Sequence, residues 1–103
     1  MLTNLGPDAK IVQNKAGGKQ SKVDFAFHLL DAPALMSLAA VTQYGSERYA
    51  RDNWRLIDEE EHINHALIHL YAYMAGDTQD QHLDHAFCRI MFALAKKLRP
   101  DYY

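Results

Sequence analysis

Five of the chain's six histidines fall between positions 62 and 85, in the stretch HINHALIHLYAYMAGDTQDQHLDH, together with Asp77, Asp80 and Asp84. Imidazole is a good ligand for zinc, manganese and similar ions, and carboxylates add hard oxygen donors. Imidazole also exchanges protons near neutral pH, so the same residues suit general acid–base work. His65 and His69 are four apart, a ligand spacing on one helical face, and His82 and His85 are three apart. Neither a zinc-protease HExxH pattern nor a cysteine pair accompanies them. The bland alternative is a set of solvated or hydrogen-bonded histidines on helix surfaces.

Two helices must position this set. At about 100° per residue, His62, His65 and His69 share an arc of roughly 60°. Ile63, Ala66, Leu67, Leu70 and Met74 lie opposite and read as a buried stripe. Beyond Gly76, His82, His85 and Arg89 share a face, with Leu83, Phe87, Ile90, Leu94 and Leu98 as the other apolar stripe. A short polar turn between two such helices makes them antiparallel, so both polar seams join in one His/Asp-rich groove. Asp58 and Glu59, Glu60, Glu61 read as the capped, acidic start of the first helix, with Asp58 as N-cap and Glu61 closing a capping box. Glu61 is also the one acid on the flank leading to His65 and His69. Gly76 reads as that helix's C′ residue, and the last helix opens near positions 78–80 and stops before Pro100.

Upstream, Asp31 and Pro33 mark a helix start, with Leu35, Leu38, Ala39 and Thr42 at helical spacing, interrupted at Gly45 and followed by a second short helix or bend. Residues 1–21, with Gly6, Pro7, Gly17 and Gly18, read as a flexible, extended arm, and residues 22–103 as the helical domain. Val23, Phe25 and Phe27 alternate with polar residues as a short extended segment. The fold class expected is all-α: a small bundle of three main helices with an extended N-terminal arm. The wide apolar faces, with Met36, Tyr71, Tyr73, Met91 and Phe92 added, imply completion as a homo-oligomer, a dimer or tetramer.

Composition sets limits. The net charge of −2 does not predict a nucleic-acid partner. No apolar run is long enough for a membrane span, and the first residues hold no secretory core, so a cytoplasmic location is expected. Cys88 is unpaired and fits a packed thiol in a reducing compartment. Around Gly45 the stretch QYGSERYARDNWR combines Tyr44, Arg48, Asn53, Trp54 and Arg55, a mixture suited to stacking a base and holding phosphate oxygens, or to a packed turn anchored by Trp54.

On these residues the chain resembles the phage dATP/dGTP diphosphohydrolases, small MazG-related proteins. The family pattern runs YG–x–x–KY–x–x–x–NW, A–x–RHL–x–A–x–x–x–GE, then HLAHA. Here it reads Tyr44-Gly45-Ser46-Glu47-Arg48-Tyr49, Asn53-Trp54, Ala66-Leu67-Ile68-His69-Leu70-Tyr71-Ala72, Gly76-Asp77 and His82-Leu83-Asp84-His85-Ala86, across residues 22 to 94. Arg48 replaces a lysine, Ile68 an arginine and Asp77 a glutamate, and the full acidic ExxE and ExxD set of the wider MazG group is absent. The resemblance implies hydrolysis of a purine deoxynucleoside triphosphate, dGTP or dATP, to monophosphate and pyrophosphate in the cytoplasm of a phage host. It implies a divalent metal, Mg²⁺ or Mn²⁺ with Zn²⁺ as a further option, held by Glu61, His65, His69, Asp77 and His82. Catalytic work falls to His69, His85 and Asp80. Lys22 and Arg48 are assigned to the phosphates, Trp54 or Tyr44 to stacking the purine, and Asn53 to reading its edge. A non-catalytic His-rich metal-binding or interaction module is the alternative from another class.

Overall fold

A computed structural model describes residues 7–100. The chain divides into two compact units, Met1–Asp31 and Ala32–Tyr103. In the first unit, β1 (Ile11–Gln13) pairs antiparallel with β2 (Lys19–Ser21), with Val12 opposite Gln20. The turn is held by Asn14, whose Oδ1 accepts the backbone N–H groups of Ala16 and Gly18, both at 2.9 Å. Gly17 takes φ +93°, which glycine enters without a Cβ clash. This hairpin lies inside the segment read as an extended arm; residues 1–6 of that arm lie outside the described residues. The extended segment expected at Val23, Phe25 and Phe27 is not a strand: Phe27–Leu29 is a turn of 3₁₀ helix. The Asn and Gly turn chemistry at 14–18, rather than the alternation at 23–27, decides where pairing occurs.

The second unit is three helices: α1 (Ala32–Tyr49), α2 (Glu59–Met74) and α3 (His82–Leu98). All-α architecture with three main helices is therefore the fold, apart from the two-stranded hairpin. The expected break at Gly45 does not occur, and α1 runs through it. Two side-chain pairs straddle the glycine at i, i+4 spacing, Gln43 Nε2 to Glu47 Oε1 at 2.9 Å and Arg48 Nη1 to Tyr44 Oη at 3.1 Å. Such pairs and the intact backbone ladder outweigh one glycine's cost of about 1 kcal/mol. Asp58 does occupy the N-cap position of α2, but without a side-chain capping bond; only its carbonyl engages, accepting the His62 N–H at 3.1 Å. Glu59, Glu60 and Glu61 stay exposed in the first turn. The last helix opens at His82, slightly later than the sequence indicates.

The main departure concerns which faces are inside. His69 meets His82 and His62 meets Arg89, so α2 and α3 run antiparallel with their histidine faces together. His62 is fully buried and His82 is 9% exposed. Of the expected α2 stripe only Ala66 is buried, while Leu70 is half-buried and Ile63, Leu67 and Met74 are exposed. Leu83, Phe87, Ile90, Leu94 and Leu98 of α3 are exposed as well. Small residues explain the inversion: Ala66, Ala86 and Ala93 line the seam and let the helices approach, and the imidazoles there find partners. The apolar core sits on the other flank of α3, where Leu38 and Val41 of α1 meet Cys88, with Met91 and Phe92 packed against them.

The 3₁₀ turn at Asn53–Leu56 is tied to both helices. Trp54 stacks on Phe92 with centroids 4.4 Å apart and planes 6° from parallel, and the Arg55 guanidinium lies over the indole. Lys96 donates to the carbonyls of Arg55, at 3.1 Å, and Ile57.

A Cβ added at Gly45 meets nothing within 4 Å, and the residue is helical. Gly45→Ala should therefore stabilise the domain by about 0.5–1 kcal/mol in urea unfolding. Destabilisation would contradict a continuous α1.

Candidate functional site

The turn between α2 and α3 builds the site. Gly76, at φ +88°, donates its N–H to the Tyr73 carbonyl at 3.0 Å, and Asp77 N–H reaches Ala72 O at 3.1 Å. This pair of bonds is the glycine helix stop anticipated at that position, and it delivers Asp77 back toward the helix pair. The Asp77 carboxylate then accepts from His82 Nε2 at 2.5 Å. His82 Nδ1 lies 2.9 Å from His69 Nδ1, and the His69 ring stacks on His85 with centroids 5.0 Å apart. His85 Nε2 is 3.3 Å from Asp80 Oδ1, and the same oxygen accepts the Gln81 N–H at 2.7 Å.

Protonation states follow from these partners. A carboxylate can only accept, so His82 carries its proton on Nε2. His82 Nδ1 and His69 Nδ1 share a hydrogen bond, one nitrogen donating to the other. Burial holds the His69 pKa below its ordinary value, and the neighbouring His85 lowers it further, against Asp80. Asp80 is held below the usual carboxylate range, first by the Gln81 N–H bond. Burial at the His69 end of the Asp77–His82–His69 chain thus favours the neutral form of that imidazole.

A cleft of about 360 Å³ opens beside this chain, lined by Ala40, Val41, Tyr44 and Arg48 of α1 and by Asp80, Gln81 and His85. That volume is within the range of small-molecule sites. Tyr44 accepts from Arg48, and this bond is the main reason the guanidinium is held charged more firmly than usual. One wall therefore offers a cation and an aromatic ring, the other a carboxylate and an imidazole.

Of the residues singled out in the sequence, His69, Asp77, Asp80, His82 and His85 come together, and Tyr44 and Arg48 join them at the cleft. The others do not. Glu61 is two turns up α2 from His69, about 12 Å along the axis, and exposed. His65 is half-buried one turn from His69 and acts on His62 rather than in the cluster. Trp54 has its ring committed to Phe92 and Arg55, and Asn53 opens the same 3₁₀ turn. Lys22 belongs to the N-terminal unit, where its N–H bonds the Lys10 carbonyl at 2.6 Å. Gln81 escaped the sequence reading, and Arg89, read there on the polar face of α3, has a partner that spacing did not indicate. Gln81 lines the cleft, with no signal beyond its place before HLDH. Arg89 donates to His62 Nδ1 at 3.1 Å while His62 Nε2–H donates to the Trp54 carbonyl at 2.8 Å.

A metal ion would find its donors in His69, Asp80 and His82, whose candidate ligand atoms all lie within 4.8 Å of one another. Asp77 would then support His82 from outside, as carboxylates do for ligating histidines. With imidazole supplying two of the three donors, the set suits Mn²⁺ or Zn²⁺ better than Mg²⁺.

Fold and site together define a small helical domain with a His/Asp cluster beside a cleft that carries one guanidinium and one carboxylate. The family model for the dATP/dGTP diphosphohydrolase N-terminal domain matches residues 14–102, and the chain belongs to that family. No curated protein and no solved structure matches the chain significantly. Among the described residues, no helix is long and apolar enough to cross a membrane.

Burial is the leading cause that lowers both the His62 and His69 pKa values, and Arg89 adds to the effect at His62. The unfolded chain protonates these imidazoles from about pH 6.5 downward, whereas the folded chain resists. Below that pH the unfolded state binds more protons, so stability falls as pH drops. Urea unfolding should show lower stability at pH 5.5 than at pH 7.5, with part of the difference lost in His62→Gln. A pH-independent stability would contradict buried neutral imidazoles.

Proposed function

We propose that this domain hydrolyses a purine deoxynucleoside triphosphate, dGTP or dATP, to the monophosphate and pyrophosphate, in phage nucleotide metabolism. The observation that carries the reading is the convergence, at one cleft, of Arg48 and Tyr44 from α1 with Asp80 of the turn and His85 of α3, on which His69 of α2 stacks. Membership of the dATP/dGTP diphosphohydrolase family supports the substrate class.

In this reading the Arg48 guanidinium binds phosphate oxygens and offsets the charge that grows on the leaving pyrophosphate. His85, which lines the cleft, takes the proton of the attacking water, and His69, ordered by His82 and Asp77, backs its ring. His85 and Asp80 form the opposite wall. Tyr44, about half-exposed, offers a ring face to the purine. The Gln81 amide, with both donor and acceptor, replaces Asn53 as the group placed to read the base edge. A divalent ion, Mn²⁺ or Mg²⁺ with Zn²⁺ as a further option, would supply charge neutralisation of the triphosphate. A second reading, a non-catalytic metal centre, draws on the same His69, Asp80 and His82 cluster.

The reaction separates the two. Protein incubated with each dNTP and with Mn²⁺, Mg²⁺, Zn²⁺ or EDTA should yield dGMP or dAMP plus pyrophosphate on ion-exchange chromatography, only with metal. His85→Ala and Arg48→Ala should each lower the rate by at least about 10²-fold. Intact triphosphate with every metal, alongside metal-dependent melting, would leave the non-catalytic centre.

A further inference from the structure

The hairpin of the N-terminal unit gathers positive charge and hydrogen-bond donors around one turn. Residues 10–22 hold Lys10, Lys15, Lys19 and Lys22, all exposed, and no carboxylate; Asp8 and Asp24 lie just outside them. The Lys22 N–H bonds the Lys10 carbonyl and continues the β1–β2 ladder, so two of these cations stand directly opposite one another. Like charges so placed weaken strand pairing. An anion lying against the hairpin relieves that repulsion.

The turn supplies the receiving surface. A hollow of about 250 Å³ is lined by Val12, Gln13, Asn14, Gly18, Lys19 and Gln20. Asn14 commits its acceptors to the turn itself: its carbonyl takes the Gly17 N–H at 3.1 Å, and its Oδ1 takes those of Ala16 and Gly18. Its Nδ2, the Gln13 Nε2 and the Lys19 ammonium bond nothing among the described residues. Gln13 and Lys19 are register partners, which sets their side chains on one face. Gly18 gives the Asn14 amide its room, because a Cβ there would come 3.1 Å from Nδ2.

We propose that this turn binds a condensed phosphate chain, the group that pyrophosphate and nucleoside triphosphates share. Ammonium and amide N–H groups around a backbone turn are the donors that hold phosphate oxygens. The hollow is smaller than the roughly 300–1,000 Å³ of pockets that enclose a drug-sized ligand, so it takes a compact anion rather than a base and sugar. The four lysines sit on a hairpin whose strands are only about 10 Å long. They match a ligand that packs several charges into that span. A carboxylate carries one charge, and a nucleic-acid strand spreads its charges along its length. The site is complete within residues 10–22, so it stands independently of the proposed hydrolysis.

Amide NMR of the isotope-labelled full chain, titrated with sodium pyrophosphate in EDTA, tests the proposal. Pyrophosphate should shift the amides of residues 13–20 saturably at millimolar concentration or below, and sodium sulfate at matched ionic strength should not. Lys19→Gln should weaken binding at least about 10-fold, Lys19→Arg should restore most of it, and Lys97→Gln, on exposed α3 surface, should leave it unchanged. Should Lys19→Gln lose the hairpin, Lys22→Gln supplies the second variant: it removes the repulsion with Lys10, so it should tighten the strand pair and still weaken binding. A deoxynucleoside triphosphate is the second ligand. If it shifts the same amides at lower concentration than pyrophosphate, the site takes nucleotide-borne phosphate; if not, it takes the free anion. Amides of α1 around Arg48 report the cleft separately, so failure there is distinguishable from failure here. Absence of a saturable shift, equal shifts with sulfate, or unchanged affinity in Lys19→Gln and Lys22→Gln overturns the proposal. Tighter binding of a thymidine oligonucleotide than of pyrophosphate, phosphate for phosphate, overturns it in favour of a nucleic-acid contact.

Discussion

An imidazole placed between two packed helices needs a partner for each ring nitrogen, and that requirement organises the helical unit. His62 is the extreme case. It is wholly buried, donating to the Trp54 carbonyl and accepting from Arg89, with its ring edge-on to both Trp54 and Phe92. Removing either partner would strand a polar atom out of reach of water, at a cost of about 1–3 kcal/mol. One side chain thereby joins the 53–56 turn, α2 and α3. One functional-looking stretch, Asn53 and Trp54, becomes part of the scaffold as a result.

The same seam continues into the cluster. Two turns further along α2, His69 meets His82, which Asp77 orients from the glycine stop. A structural seam of satisfied imidazoles at one end thus passes into a cluster of three imidazoles and two carboxylates at the other. The difference is the environment: His62 is enclosed by Trp54 and Phe92, whereas His85 and Asp80 open onto a cleft. Packing the polar faces inward also has a cost, because it leaves the leucine stripes in water. The small apolar core of Leu38, Val41 and Cys88 does little to offset that exposure.

Much of this was legible in the chain. Three helices, their antiparallel pairing across the turn at Gly76 and the convergence of His69, His82, His85 and the turn aspartates all followed from spacing. The glycine stop was legible because only a positive φ fits there. The inward face of α2 was not. Periodicity sets His62 and His69 opposite Ile63, Ala66, Leu67 and Met74, but it assigns that whole apolar side to the interior, where only Ala66 of the four is buried. That rule fails when small residues and paired imidazoles make a closer seam and a wide apolar face is left over. The packed turn anchored by Trp54 was one of two readings of that stretch, and spacing could not choose between them because the indole's neighbour in space is Phe92, 38 positions on. Gly45 misled in the opposite direction: the glycine signal is real, but two flanking i, i+4 pairs outweigh it.

The inward orientation of the histidine faces is the claim on which the site, the scaffold and the exposed stripes all rest. Histidine-selective acylation with diethyl pyrocarbonate, read residue by residue by peptide mass spectrometry at pH 7, tests it directly. His28, exposed in the N-terminal unit, should react readily, while His62 stays unmodified until urea unfolds the chain. Labelling of His62 at the rate of His28 in the folded protein would show that α2 presents the opposite face, and the account built on that seam would fail.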